Sequence, residues 1–293
     1  MAFELTDLLV EAYRRLGQFN ESGVTSGTAA TTIIDSSLAG KGADDDWIDG
    51  AVFMTYTTDA AAPLGQFQVV TDYADATGTF TFATMTAATG AGDRYGYVSQ
   101  LYPLQTIIGL ANSALQSLGD IPLVDTTTLD TAASQTEYTY SVAWKRNPPY
   151  RVDMQTKTTD ADDNQWIELR DWEYIPATAA GTGLLILPQL PASRGLRIWY
   201  QGPHPAVQAY SDDIYAGFNP ELITLMLVER ALEWQNSRLQ GGDPFLMQRW
   251  NDAKQQAAMA KQNYRVWKPI RRAGLMIVGS HVEEDRFSYP GPA

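Results

Sequence analysis

Two histidines, His204 and His281, are the only imidazoles in 293 residues, and no cysteine accompanies them. Imidazole is the commonest general base and metal ligand near neutral pH, so chemistry of that kind would have to be built around one of these two. His204 sits in Gly202-Pro203-His204-Pro205, a stiff proline-flanked connection, and His281 lies in the C-terminal stretch; neither is bracketed by an identifiable nucleophile. No G-x-S-x-G elbow, P-loop, dinucleotide fingerprint or H-E-x-x-H helix occurs. Glu168 and Asp171 are a carboxylate pair of the kind a glycosidase uses, yet a chain with 34 acids places many such pairs by chance. Asp44-Asp45-Asp46 with Asp49 has the hard oxygen ligands that calcium requires, but it lacks the central glycine and distal glutamate of an EF-hand loop and reads as a solvated turn. The expectation is a protein that is not an enzyme, with no catalytic residues, no cofactor and no metal site.

Charge narrows the partners. The formal net charge of −13 argues against gripping nucleic acid by counterion release, which needs a basic face. The charge is uneven: thirteen acids lie between Glu21 and Gln135 against only Lys41 and Arg94, whereas Arg249 to Arg272 holds seven bases against Asp252 alone. Such asymmetry can be a solvated surface and nothing more. Apolar residues make up 44% of the chain, enough to bury a core. The N-terminus lacks a basic n-region and an apolar h-region, and no stretch approaches the roughly 20 apolar residues of a membrane span, so the chain reads as soluble.

The strongest structural signal is the run from Asn219 to Trp267, which predicts two helices folded into a hairpin. Asn219-Pro220 and Asp243-Pro244 repeat one start signal, a capping side chain before a proline that fits the first helical turn. The second helix carries Leu246, Trp250, Ala253, Ala257, Ala260, Tyr264 and Trp267 at spacings alternating four and three, which is a packing seam with an alanine middle and aromatic ends. Pro269 ends it. A first helix is expected over 4–17, capped by Thr6 and closed by Gly17, and another over 103–118 with Leu104, Ile108, Ala111, Leu115 and Leu118 on its seam.

Between these two helices the period changes to two. Thr31–Ile34, Ala51–Tyr56, Gln66–Val70 and Thr79–Phe82 read as strands, Tyr73–Thr79 as a hairpin turn, and Gly92-Asp93-Arg94-Tyr95 as the entry to a further strand. Because the helical pattern resumes where it broke off, residues 25–100 are expected to be a β insertion in a helical bundle whose parts are 1–24, 101–135 with a Thr/Asp-rich linker, and 204–267. Residues 136–203 predict a second small β domain, sandwich or barrel, with strands at 137–140, 150–156, 166–169, 172–175, 184–187 and 196–200. Trp144, Trp166, Trp172 and Trp199 supply large apolar area there, for core packing or for a sugar platform. The fold class is α+β, a discontinuous helical bundle with a β insertion, a second β domain and an extended tail over 268–293.

In that tail, Trp267, Lys268, Ile270, Arg271 and Arg272 form a basic collar, followed by the strand-capable Leu275, Met276, Ile277 and Val278. An apolar segment too short for a core of its own must lie back on the fold or be buried by a partner.

The order helix, β insertion, helix, β domain, helical hairpin and extended tail is joined by three local stretches: Asp46-Trp47-Ile48-Asp49-Gly50, Val70-Thr71-Asp72-Tyr73 before Thr77-Gly78-Thr79, and Gly92-Asp93-Arg94-Tyr95. Together they resemble the head-to-tail connector (adaptor) proteins of tailed bacteriophages. The second β domain departs from the smallest connectors, which are little more than a helical bundle. The resemblance implies a structural virion protein of the neck, assembled in the host cytoplasm. It implies a homo-oligomeric ring of about twelve copies, docked on the portal through the tail residues named above. A tail or tail-completion protein would lie on its other side, and DNA would pass through without specific binding. Twelve copies at −13 each would give about −156, a charge that repels phosphate if it faces the passage. Two other functions fit the residues: a tail-associated carbohydrate-binding or depolymerising protein using the aromatic β domain, and a tail-completion subunit.

Overall fold

The computed structural model describes residues 3–27, 29–126, 129–139, 148–156, 166–175, 183–240 and 242–264. The protein is mixed α+β, and the chain divides into two compact units, one of Met1–Leu118 with His204–Trp267, the other containing Gly119–Pro203. Among the described residues no helix is long and apolar enough to cross a membrane.

Among the described residues the first unit contains four helices: α1 (Leu5–Arg15), α2 (Leu104–Ser117), α3 (Pro220–Arg238) and α4 (Pro244–Asn263). Both hairpin caps form as the sequence predicts. The Asn219 carboxamide oxygen accepts from the Glu221 amide at 2.9 Å, and the Asp243 carboxylate accepts from the Phe245 amide at 2.9 Å, satisfying donors that a helix start leaves open. At α1 the expectation fails. Glu4 is the N-cap, in a reciprocal capping box with Asp7, while the Thr6 hydroxyl donates to the Gly65 carbonyl at 2.6 Å. A buried hydroxyl needs a partner, and tertiary contact supplied it before capping could. Helix α3 touches α1, α2 and α4, so every residue from Leu222 to Val228 is buried. Its second half is more open, and Arg230, Glu233 and Ser237 form a polar stripe there.

The α4 seam packs as a close approach. Ala257 and Ala260 meet Ala114 of α2 and Leu222, Leu225 and Met226 of α3, and Leu246 and Ala253 are buried on the same stripe. The predicted aromatic ends do not follow: Trp250 is half-buried, Tyr264 is 38% exposed, and the helix stops at Asn263. Tyr264 is the C-cap of α4, and its extended backbone takes it off the line of the helical seam. Trp267 lies outside the described residues. Ala257 is fully buried, so Ala257→Trp is expected to destabilise by about 1–3 kcal/mol through overpacking. An unchanged melting temperature would show that this face is free.

Between α1 and α2 lies a six-stranded antiparallel sheet. Its strands are β1 (Asn20–Gly23), β2 (Thr32–Ile34), β3 (Ala51–Tyr56), β4 (Phe67–Ala74), β5 (Thr79–Phe82) and β6 (Arg94–Val98), in the order β1-β6-β3-β4-β5-β2. A bulge between Val70 and Asp72 bends β4, whose first half pairs with β3 and whose second half pairs with β5. The sheet curls until its edges approach: Thr25, just past β1, donates to the Ile34 carbonyl of β2 at 2.9 Å. Inside the curl Phe80 is fully buried with Tyr73, Tyr95 and Tyr97 at ring-centroid distances of 4.9, 5.7 and 5.5 Å. Phe53 of β3 reaches the other way, 5.7 Å from Tyr13 of α1, which ties the sheet to the helices. Gly96 is required by crowding, since a Cβ there would stand 1.9 Å from the Phe19 ring.

Asp35, beside the meeting edges, is completely buried. Its carboxylate accepts from Ser22 Oγ, from Tyr95 Oη at 2.9 Å and from the Ser37 amide at 2.9 Å. Burial pushes its pKa up, but the hydrogen bonds from Ser22, Ser37 and Tyr95 outweigh it and hold the carboxyl below its ordinary range. A lowered folded-state pKa contributes stability that is complete above the unfolded value and lost as pH falls through the folded one. Asp35→Ala is therefore expected to cost about 1–3 kcal/mol at neutral pH. The gap from wild type should shrink below about pH 4. Denaturant titrations at pH 7 and pH 3 check this, and a gap that widens in acid would contradict it.

Among the described residues the second unit has seven strands: β7 (Ile121–Asp125), β8 (Glu137–Thr139), β9 (Arg151–Gln155), β10 (Trp166–Leu169), β11 (Glu173–Ile175), β12 (Leu184–Ile186) and β13 (Leu196–Gly202). They form a four-stranded sheet, β10-β9-β13-β7, and a three-stranded one, β11-β12-β8. One core joins them, with Val152, Leu196 and Ile198 from the first and Tyr138 and Leu185 from the second. The Asp153 carboxylate is buried within the four-stranded sheet, where Arg151 Nε and Trp199 Nε1 donate to it at 2.6 and 2.7 Å. Strand β7 occupies part of what reads in sequence as bundle and linker. Its Pro122 is tolerated because β7 is an edge strand.

Candidate functional site

His204 proves to be a structural residue. Its ring is buried, with Nδ1 2.7 Å from the Pro205 carbonyl and Nε2 accepting from the Tyr215 amide at 3.1 Å, the pattern of an Nδ1–H tautomer. Its ring stacks on Phe218 at 5.9 Å, and both nitrogens are already engaged. His281 lies outside the described residues. Glu168 and Asp171 are both exposed, and Glu168 stands 3.9 Å from Arg151 Nε. The docking residues Trp267, Lys268, Ile270, Arg271, Arg272, Leu275, Met276, Ile277 and Val278 likewise fall outside the description.

The aspartate run becomes part of a larger surface. The turn holding Asp44, Asp45, Asp46 and Asp49 lies along the second half of β4: the Asp45 amide donates to the Tyr73 carbonyl at 3.0 Å, and the Asp75 amide donates to Asp44 Oδ1 at 2.8 Å. Asp75 returns the contact by accepting from the Gly42 amide at 2.9 Å. Asp75 thereby joins the run, and Asp72 lies on the same stretch of β4; of these six aspartates five are exposed and Asp75 is half-buried, and the exposed Lys41 shares the turn, its neighbours Gly40 and Gly42 both donating to Asp75. Among the described residues no group of three acids and histidines is arranged to hold a metal ion. None of the six stands in an ion pair there, whereas Arg14 pairs with Glu21 and Arg15 with Glu11 and Glu221. The sequence pointed to Asp44, Asp45, Asp46 and Asp49 but not to Asp72 and Asp75, because only strand pairing brings them together.

Beside this patch runs a groove of about 690 Å³. Asp46 and Asp49 line it together with Val69, Leu101 and Leu104, and Arg238 closes its far side. The Arg238 guanidinium is itself held over the Trp234 ring at 5.5 Å.

On α4 the seam residues Leu246, Ala253, Ala257 and Ala260 face inward, which leaves a second stripe exposed. Met247, Asn251, Lys254, Ala258 and Lys261 recur at spacings of four and three, all solvent-facing, with no acid among them. Lys254 lies 5.4 Å from the Trp250 ring, and neither lysine pairs with a carboxylate among the described residues. Within the second unit a pocket of about 550 Å³ is lined by Asp130, Gln155, Trp166, Ser193 and Arg197, and the Arg197 guanidinium lies 3.8 Å from the Trp166 ring centroid.

The described surface of the first unit thus offers a mainly acidic patch, an open groove and an exposed helix stripe carrying two lysines. Comparison of the sequence with protein-family models and with curated proteins finds no match.

Proposed function

We propose that this chain is a structural subunit of a phage neck, one copy of a ring that joins portal to tail and surrounds the DNA passage. What carries the reading is the order of elements within the first unit. Helix α1 is followed by a six-stranded sheet, α2 resumes beside α3, and the α3–α4 hairpin returns after a second β unit. That order supports a discontinuous helical bundle carrying a β insertion and a small sandwich-like domain, as the resemblance to connector proteins implies. The acidic surface at the end of the sheet suits a part that must let DNA slide without holding it. The role assigned to the chain is mechanical, with the basic, apolar segment after α4 docking on the portal. Inactivating the gene is expected to leave DNA-filled heads without tails. Fully tailed particles that fail to bind host cells would contradict this.

A second reading, a carbohydrate-binding protein, is favoured by the polar pocket around Trp166. Arg197 already covers one face of that ring, which leaves less of it for stacking against a sugar.

A further inference from the structure

Resting on the ring reading above, we infer that neighbouring copies join through the exposed α4 stripe of one chain and the six-aspartate patch of the next. The chain carries both halves of a complementary pair. The patch, formed by Asp44, Asp45, Asp46, Asp49, Asp72 and Asp75, brings six like charges together; Lys41 lies in the same turn and Arg238 across the adjoining groove, but neither forms an ion pair with the six among the described residues, and acids outnumber bases. Repulsion of that kind is relieved by a basic partner.

The α4 stripe matches it in chemistry and shape. Lys254 and Lys261 stand seven residues apart on one flank with Ala258 between them, so a partner surface can approach closely while both ammonium groups reach it. The sequence continues the positive run with Arg265, Lys268, Arg271 and Arg272. No ion pair joins patch and stripe within one chain. A contact between two different faces of the same chain is heterologous: each copy presents one of each, and repetition closes a ring when the rotation allows. Charge across such a face sets encounter rate and register, so the pairwise contact is salt-sensitive and weak until many copies are gathered.

The test uses two full-length variants altered at exposed positions, with circular dichroism to verify folding: Lys254→Glu with Lys261→Glu, and Asp44→Lys with Asp45→Lys. In sedimentation velocity at low salt the wild type should associate reversibly, and high salt should dissociate it. Each variant alone should associate at least about tenfold more weakly. Mixed, the two retain one intact pair of faces, the acidic patch of the first and the basic stripe of the second. The mixture should therefore stop at a one-to-one dimer. Wild type that stays monomeric at every concentration, variants that associate like wild type, or a mixture without dimer would each overturn the interface. Those results would leave ring formation on the particle intact, because that is read from the neck and not from the isolated chain. A particle without a ring, conversely, would sink the neck reading while leaving the charge-dependent dimer standing.

Discussion

Phe80→Ala is expected to cost about 3–5 kcal/mol, the range for removing a fully buried aromatic ring, and so to unfold the six-stranded sheet under mild conditions. Phe80 has no exposed surface and lies within 6.4 Å, centroid to centroid, of Trp47, Tyr73, Tyr95 and Tyr97. Strand β5 is only four residues long and pairs on both sides, so backbone bonding alone holds little of it. The rings around Phe80 cannot close the gap cheaply, because Tyr95 is tied to Asp35 and Tyr73 sits in the bulged part of β4. Near-ultraviolet circular dichroism should lose its aromatic signal at a lower denaturant concentration than in wild type. A midpoint unchanged from wild type would show that the curl is held by something other than this cluster. Loss of this sheet should also loosen α1, which meets Phe53 through Tyr13.

Truncation after Trp267 is expected to abolish attachment to portal-capped heads while leaving the melting temperature of the isolated protein nearly unchanged. The described helices already bury their seams without any residue beyond Asn263. The removed segment pairs a basic start, Lys268, Arg271 and Arg272, with the apolar Leu275, Met276, Ile277 and Val278. On the proposed reading such a segment contributes by docking, where the contacts made with a partner must exceed the entropy of ordering it. Binding assays on purified heads and a thermal melt are both needed. A truncated protein that unfolds well below wild type would make the tail part of the core and move portal binding to the hairpin or a β unit.

Local signals in the sequence were legible wherever one physical cause dominated. The Asn-Pro and Asp-Pro starts of α3 and α4 needed only a cap and a fixed φ, and strands β3 and β5 fall on the residues their apolar patterns mark. Strand β1, Asn20-Glu21-Ser22-Gly23, was missed because it has no apolar residue; β6 holds it by backbone bonds. Strand β7 was hidden by its proline. Tyr73 and Ala74 read as turn but extend β4, since burial of Tyr73 against Phe80 outweighs the local composition. The acidic patch was half legible: adjacency shows Asp44 to Asp49, whereas Asp72 and Asp75 arrive through tertiary pairing. The exposed α4 stripe was masked by the seam beside it, since both share one spacing and only burial tells them apart.

A cryo-electron microscopy map of the assembled particle tests the neck assignment most directly. The account predicts a closed ring of this chain between portal and tail, with the segment after α4 against the portal and the α4 stripe of each copy facing the aspartate patch of the next. Density for this chain at a tail fibre or tail tip, with a portal-to-tail junction built from other proteins, would contradict it.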